Sequence, residues 1–376
     1  MRSSTMALFR TSALLASVVL AMQPGSAAER QQAIAVAAGN ESQFVQGSSS
    51  RPIATYSIVA RDPATGDYGI AVQSKYFAVG DVVPFAKADT GALATQAVGN
   101  PRHGPAGLKL MGEGVPAAEV IEQLLAQDPK AGYRQIGVVD SKGDAATYTG
   151  DKCLPWAGGV TGENFAAQGN LLAGPHVVEA MAATFKAVPG DLATRLVFAL
   201  AAGQAAGGDA RGRQSAAVLV VRQGAGYQGL NDRLIDLHVE DHVTPIRELK
   251  RLLDIRHAQL AATEAQSYLD HIDKAAATQQ AGLIAKARKA AERGISVYRG
   301  DDHLWWLTAE ARWLDGDLPG AVEAGREALL LSPSWPRLPA KTRAVLGLPN
   351  QLVSALRKND GFRVLWDSLA SEEPVQ

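Results

Sequence analysis

The run from Thr55 to Asp62, Thr-Tyr-Ser-Ile-Val-Ala-Arg-Asp, constrains the chain more than any other stretch. Ile58 and Val59 are β-branched, Tyr56 favours a pleated backbone, and Asp62, Pro63, Thr65, Gly66 and Asp67 supply a turn set that closes the run. A second strand, Tyr68 to Gln73, follows at once. A hydroxyl residue thus opens a hairpin, and the chain from Thr55 to about Val243 reads as one continuous α/β layer structure.

Beyond the hairpin, a strand over 91–97 gives way to helical spacing. Ala106, Leu108, Leu110 and Met111, and after Pro116 the set Val120, Ile121, Leu124 and Leu125, fit amphipathic helices. A second hairpin is expected at 135–139 and 145–149, turned by Ser141, Lys142 and Gly143. Helices over 177–185 and 192–206 and strands over 216–221 and 234–239 complete the pattern. Strands, paired helices and strands again imply an α/β (α+β) class, a sheet covered by helices.

The two ends differ from this middle. Arg2 and Arg10, an uncharged apolar run from Thr11 to Met22, and the small residues Ser26-Ala27-Ala28 read as a secretory signal peptide over 1–28. Residues 29–54 lack a sustained period and read as a flexible leader or propeptide whose end, Arg51-Pro52-Ile53-Ala54, abuts Thr55. A periplasmic or secreted location follows as an expectation, with no membrane span once the signal is removed. Past Val243 the strand signal ends. Pro245 fits a helix start, and Ile246, Leu249, Leu252, Leu253 and Leu260 form a helical stripe. Trp305, Gly316-Asp317-Leu318, Ala321, Ala328 and Pro333 match the offsets of a tetratricopeptide repeat of about 34 residues, while Thr308 and Ala309 depart from it. The expected division is a layered domain over 55–254 and a small all-α, tetratricopeptide-like domain over 255–376.

Several blocks carry a family resemblance: TYSIVARD, GIAVQS, GALATQA, RQIGVVD, AAQGNLLAG, GGDARGRQSAAVLVV and NDRLIDLHVEDH, in that order. From Thr55 to about Leu253 the chain resembles the bacterial family known as domain of unknown function 1028, which is placed by fold with the N-terminal nucleophile (Ntn) hydrolases. The resemblance implies a four-layer αββα sandwich. It also implies a use for Thr55: such enzymes attack with the side chain of the first residue and use its free α-amine as the base. An α-amine of pKa about 7.7 to 8.0 suits that task near neutral pH. Thr55 is therefore the expected nucleophile, conditional on cleavage of the Ala54-Thr55 bond, because an amide nitrogen cannot take the proton.

Other residues gather around that chemistry. Gly207 to Ser215 packs three charges among three glycines before a strand; matched to the family, Asp209 is a catalytic or network carboxylate, and Arg211, Arg213 and Ser215 are substrate-binding. Gln168-Gly169-Asn170 offers an amide and backbone N–H groups for an oxyanion, with Asn170 catalytic and Gly169 binding. Ser74 and Gln96 end strands expected beside the first strand and are assigned to substrate binding. Each of these also has a structural reading, such as an Asp-Arg bridge bracing a turn. Asp236, His238 and Glu240 share a strand face with His242 nearby, a pattern that suits a metal in principle but is equally an exposed polar face; no metal or cofactor is expected.

Composition narrows the partners. A formal net charge of -1 offers no attraction to polyanions, so nucleic acid is excluded as an expected partner. The single cysteine, Cys153, can form neither an intramolecular disulfide nor a multi-thiolate metal site. Three function classes remain: a secreted amidohydrolase acting on a small-molecule or peptide amide, a non-catalytic binding protein on the same fold, and a scaffold whose repeat-like helices hold a protein partner. A homo-oligomer is compatible with each.

Overall fold

The computed structural model describes residues 55–371, so the signal and leader segments expected over 1–54 lie outside the described residues. The strands β1 (Thr55–Arg61) and β2 (Tyr68–Ser74) form the expected antiparallel hairpin. Its turn is locked where Asp62 N donates to Asp67 O and Gly66 N to Asp62 O, each at 2.8 Å.

Two antiparallel sheets follow from the strand order. The strands β3 (Pro84–Lys87), β4 (Gly91–Ala97), β5 (Arg134–Asp140) and β6 (Ala145–Thr149) form one sheet in the order β3-β4-β5-β6. The other contains β1 and β2 with β7 (Gly158–Gly162), β8 (Phe165–Asn170), β9 (Ser215–Val221) and β10 (Arg233–Val239), in the order β10-β9-β2-β1-β8-β7. The strands β3, β7 and β8 escape the sequence reading for physical reasons. β3 is a four-residue edge strand opening on a proline, β7 has three glycines in five residues, and β8 is built from alanine, glycine and amide residues.

Side-chain alternation along β1 explains how the layers assemble. Tyr56, Ile58 and Ala60 point to one face and pack with Val177, Met181, Phe185, Leu196 and Leu200 of α3 (His176–Ala187) and α4 (Leu192–Ala205). Val59 points the other way and joins Ala92, Ala94 and Val139 of the facing sheet. On that sheet's outer side, Leu93, Ile136 and Val138 bury Met111, Val120, Ile121 and Leu124 of α1 (His103–Gly112) and α2 (Ala117–Ala126). Thr55 and Ser57 share the Val59 face, so the hydroxyls of β1 are directed between the sheets.

The remainder is helical. It comprises α5 (Pro245–Leu269), α6 (Ala277–Val297), α7 (Asp302–Leu314), α8 (Leu318–Leu331), α9 (Ala340–Val345), α10 (Asn350–Leu356) and α11 (Asp360–Ser371). The boundary expected at residue 254 falls inside α5. Ile246, Leu249 and Leu253 join the core against α4, whereas Ala258, Ala262, Ala265 and Leu269 join the helical core around Trp306. In the α7–α8 hairpin, Asp317 caps α8 by accepting from Gly320 N at 2.9 Å. Thr308 is fully buried there, and its hydroxyl donates to Leu304 O at 2.9 Å. No helix among the described residues is long and apolar enough to cross a membrane.

Candidate functional site

The registers of four adjacent strands place Asn170, Thr55, Ser74 and Ser215 in one row across the end of the six-stranded sheet: Thr55 lies opposite Asn170 on one side and Ser74 on the other, and Ser74 lies opposite Ser215. Directly opposed residues share a face, and this is the face turned to the second sheet. All four are buried. Two residues further along the strands, the same face carries Gln168, Ser57, Val72 and Ala217, and beyond that Ala166, Val59, Ile70 and Leu219. The space between the sheets is thus polar at the Thr55 end and apolar elsewhere.

The facing sheet supplies a matching row, Gln96, Gln135 and Thr149. Ser57 Oγ donates to Gln96 Oε1 at 2.7 Å and accepts from Gln168 Nε2 at 2.7 Å. Gln96 Nε2 donates to the Thr55 carbonyl at 3.2 Å and to Gln135 Oε1 at 2.8 Å, and that oxygen also accepts from Asn170 Nδ2 at 3.0 Å. Gln135 Nε2 in turn donates to the Gly169 carbonyl at 2.7 Å and to Thr149 Oγ1 at 2.8 Å. The Thr55 hydroxyl donates to Ser74 Oγ at 3.0 Å. Such a connected amide and hydroxyl network, held in a low-dielectric slot, fixes the geometry of every member. Gly137 is required here, since a Cβ would stand 2.2 Å from Gln168 Oε1.

Most of the sequence-expected residues meet in this network: Thr55, Ser74, Gln96 and Asn170 through side chains, Gly169 through its carbonyl. Gln96 corrects the expectation that its strand lies beside β1, because β4 belongs to the facing sheet and the amide reaches Thr55 across the gap. Ser57, Gln135 and Thr149 were missed, and Gln168, read with Gly169 and Asn170 as an oxyanion block, instead donates to Ser57. Ser57 and Thr149 carried a signal, since each alternates with a second hydroxyl on its strand, Thr55 and Thr147; Gln135, followed on its face by Gly137 and Val139, did not.

The glycine-rich loop does different work. The Asp209 carboxylate accepts from Lys75 N at 2.9 Å and from the Arg211 backbone N–H at 2.9 Å, and pairs with the Arg211 guanidinium at 2.9 Å. It braces the loop and pins the residue next to Ser74. Ser215 Oγ donates to Tyr76 O and accepts from Val79 N at 3.1 Å, tying down the segment after β2. Arg213 stands apart on the helical side, lining a cavity of about 380 Å³ with Val197, Phe198, Ala201, Arg247 and Lys250. Tyr56 connects the two regions: its hydroxyl lies 3.4 Å from Leu200 O and 3.5 Å from Gln204 Oε1, and Gln204 also lines the cavity. Burial, with the Asp209 charge adding to it and Arg213 opposing it, holds the phenol well above its ordinary pKa, so Tyr56 is neutral at working pH.

A charged knot at the same end of the second sheet had no motif to announce it. The side chain of Asp128 is only 5% exposed and accepts from Arg134 Nε at 2.8 Å, Lys130 N at 2.9 Å and Asn100 Nδ2 at 3.1 Å, and its carboxylate lies 3.1 Å from His103 Nε2. Burial alone would raise the Asp128 pKa, but these donors outweigh it and hold the group ionised far below the carboxylate range. Burial lowers the His103 pKa, against the pull of Asp128. Cys153 is half-buried and donates to Arg134 O at 3.4 Å; burial raises its pKa, so the thiol is protonated at neutral pH.

Fold and site together define a mixed α/β protein with two antiparallel sheets, a buried polar row ending them, and a helical C-terminal region. Residues 55–249 match the family of unknown function DUF1028, and the chain belongs to that family. Among solved structures it is similar to the crystal structure of a DUF1028 protein from Silicibacter pomeroyi, with 30% sequence identity, a TM-score of 0.49, and coverage of 53% of this chain and 88% of that one. No curated protein matches the chain.

Proposed function

We propose that this chain is an exported amidohydrolase of the Ntn type, cut before Thr55 and opening a carbon–nitrogen amide bond of a small molecule or peptide through an acyl-threonine intermediate. The helix, sheet, sheet, helix order of residues 55–254 supports reading it as the αββα sandwich of that class, and the α7–α8 hairpin is read as a tetratricopeptide-like addition. The observation that carries the reading is the position of Thr55. The family match begins at this residue, and it stands in the polar row between Asn170 and Ser74 with its hydroxyl on Ser74.

In this mechanism the freed α-amine takes the Thr55 hydroxyl proton as Oγ1 attacks the substrate carbonyl, and it returns the proton to the leaving amine. Water then hydrolyses the ester by the same route in reverse. Asn170, opposite Thr55 in the strand register, offers a side-chain amide to an oxyanion, and Gln135 holds it in place. Arg213, which lines the cavity on the helical side rather than the slot between the sheets, is proposed as the contact for a substrate carboxylate. Intact-mass measurement and N-terminal sequencing of the exported protein, run beside an amide-hydrolysis screen, test the reading. Active protein beginning at Thr55 supports it, and active protein that retains residues before Thr55 defeats it.

A second reading has its own observation. Thr55 is 0% exposed and its hydroxyl is already hydrogen-bonded, which favours a binding protein that keeps the fold without the chemistry. Retention of the leader in the mature protein, with no turnover of any amide, would establish that reading instead.

A further inference from the structure

We propose that Asp81, His238 and Glu240 form a zinc site that clamps the segment after β2 onto β10. The three come from two places in the chain: Asp81 from a 3-10 turn (Val79–Asp81) and the other two from the end of β10 and the residue after it. Each offers one ligand atom, and the three atoms lie within 4.8 Å of one another. His238 Nδ1 is 3.6 Å from Asp81 Oδ1 and 3.5 Å from Glu240 Oε1.

Those separations are long for direct N–H···O bonds. They are close to the edge of a tetrahedron, about 3.3 Å, around an ion bound at 2.0 to 2.1 Å by nitrogen and carboxylate ligands. The other ring nitrogen supports the assignment. His238 Nε2 lies 3.0 Å from Asp236 Oδ1, so a proton held there leaves the Nδ1 lone pair facing two anionic oxygens. A cation between them removes the repulsion, and a carboxylate on the far nitrogen is the usual means of orienting a metal-bound histidine. The other carboxylate oxygen of Glu240, Oε2, is itself buried with no hydrogen-bond partner among the described residues, although the side chain is 43% exposed.

The set Asp236, His238 and Glu240 was legible as an alternating strand face, but Asp81 was not, because only the fold brings it there. Gly80 makes the approach possible, since a Cβ at that position would stand 2.6 Å from His238 Nδ1 and 2.8 Å from the Ala217 methyl. The backbone already ties the segment to the sheet at the same place, with Ala78 N donating to Glu240 O at 3.1 Å and Ser215 Oγ accepting from Val79 N. One imidazole and two carboxylates suit zinc, with water completing the shell. The ion would tighten the segment that follows Ser74.

The test is calorimetric titration of zinc into chelator-treated full-length protein, with limited proteolysis of residues 75–82 as a second readout. Expected are one zinc per chain, protection of those bonds by zinc, and at least about tenfold weaker binding for His238→Ala and Asp81→Asn. Asp236→Asn should weaken binding by about tenfold through loss of the orienting bond. Gly80→Ala should weaken it by displacing the turn. His242→Ala should bind as wild type, because that imidazole accepts from Thr244 N at 2.9 Å in a separate turn. Asp81 is well exposed, so its variant remains informative even if a strand variant fails to fold. Sub-stoichiometric zinc, or equal affinity in the Asp81 and His238 variants, overturns the proposal and leaves the imidazole caged among carboxylates without a metal.

Discussion

Removal of the Thr55 hydroxyl separates its proposed chemistry from its place in the fold. Thr55→Ala should abolish hydrolysis at a stability cost of about 1 kcal/mol, the net value of one hydrogen bond, while Thr55→Ser should retain measurable turnover because hydroxyl and amine both survive. Arg213→Ala should raise KM more than it lowers kcat if the guanidinium holds a substrate carboxylate at the cavity. Gln135 is the opposite case, a residue expected to matter for stability first. Its amide serves Gln96, Asn170, Thr149 and the Gly169 carbonyl at once. Gln135→Leu leaves several of these buried groups unpaired and should cost about 3 kcal/mol in a urea titration; a loss under about 0.5 kcal/mol would mean that the network relaxes around the change. At this scale Thr55, Ser74 and Asn170 were legible because each is a polar residue at a recognisable strand end or family block. Gln135 was not, since its role depends on which sheet faces which, a relation that periodicity along one strand does not contain.

Among the elements, the expected helices and the hairpins at 55–74 and 134–149 formed because their signals are local: apolar spacing near 3.6 or 2.0 and turn residues between. β8 lacked such a signal. Its alanines, glycine and amides have little intrinsic strand preference, and pairing with β1 on one side and β7 on the other makes it a strand. The turn between α5 and α6 gives an electrostatic prediction. Burial, together with Asp270 and Asp273, raises the pKa of Glu310 on α7 from its usual 4.5 to about 7. Between those two values the folded chain binds a proton that the unfolded chain has released, so stability is greatest below about pH 4.5 as far as this group is concerned and falls until about pH 7. A shift of this size corresponds to roughly 3 kcal/mol at most, less any relief from the side chain's partial exposure. Glu310→Gln should therefore stabilise the chain at pH 8 more than at pH 5, measured by denaturant midpoint at both pH values. Equal effects at the two would show that the carboxylate is solvated and titrates normally.

Across the whole molecule, the question is whether residues 55–254 and the helices behind them unfold together, and α5 decides it. The change in composition after Val243 marks where strands stop, but it says nothing about a helix that continues through the boundary with one half in each core. Leu253 packs with the α4 side and Ala258 with the helical side, little more than one turn later. Arg256, between them, donates through Nε and Nη2 to Leu234 O at 3.2 and 3.0 Å, so the middle of the helix is also tied to the strand β10. A rigid helix shared in this way transmits the loss of one core to the other. Five of the six tryptophans, Trp305, Trp306, Trp313, Trp335 and Trp366, lie in the helical part, and only Trp156 lies in the layered part, so indole fluorescence reports chiefly on the former. Urea unfolding followed by fluorescence and by an extrinsic probe attached at Cys153, the single cysteine, should give coincident transitions in the wild-type chain. Two glycines inserted after Asp254 would break the helix between the two cores at a cost of about 1 kcal/mol per glycine in helix propensity, and the two transitions should then separate. Coincident transitions in the insertion variant would show that contacts other than α5 couple the cores, whereas separated transitions already present in the wild type would establish two independent domains.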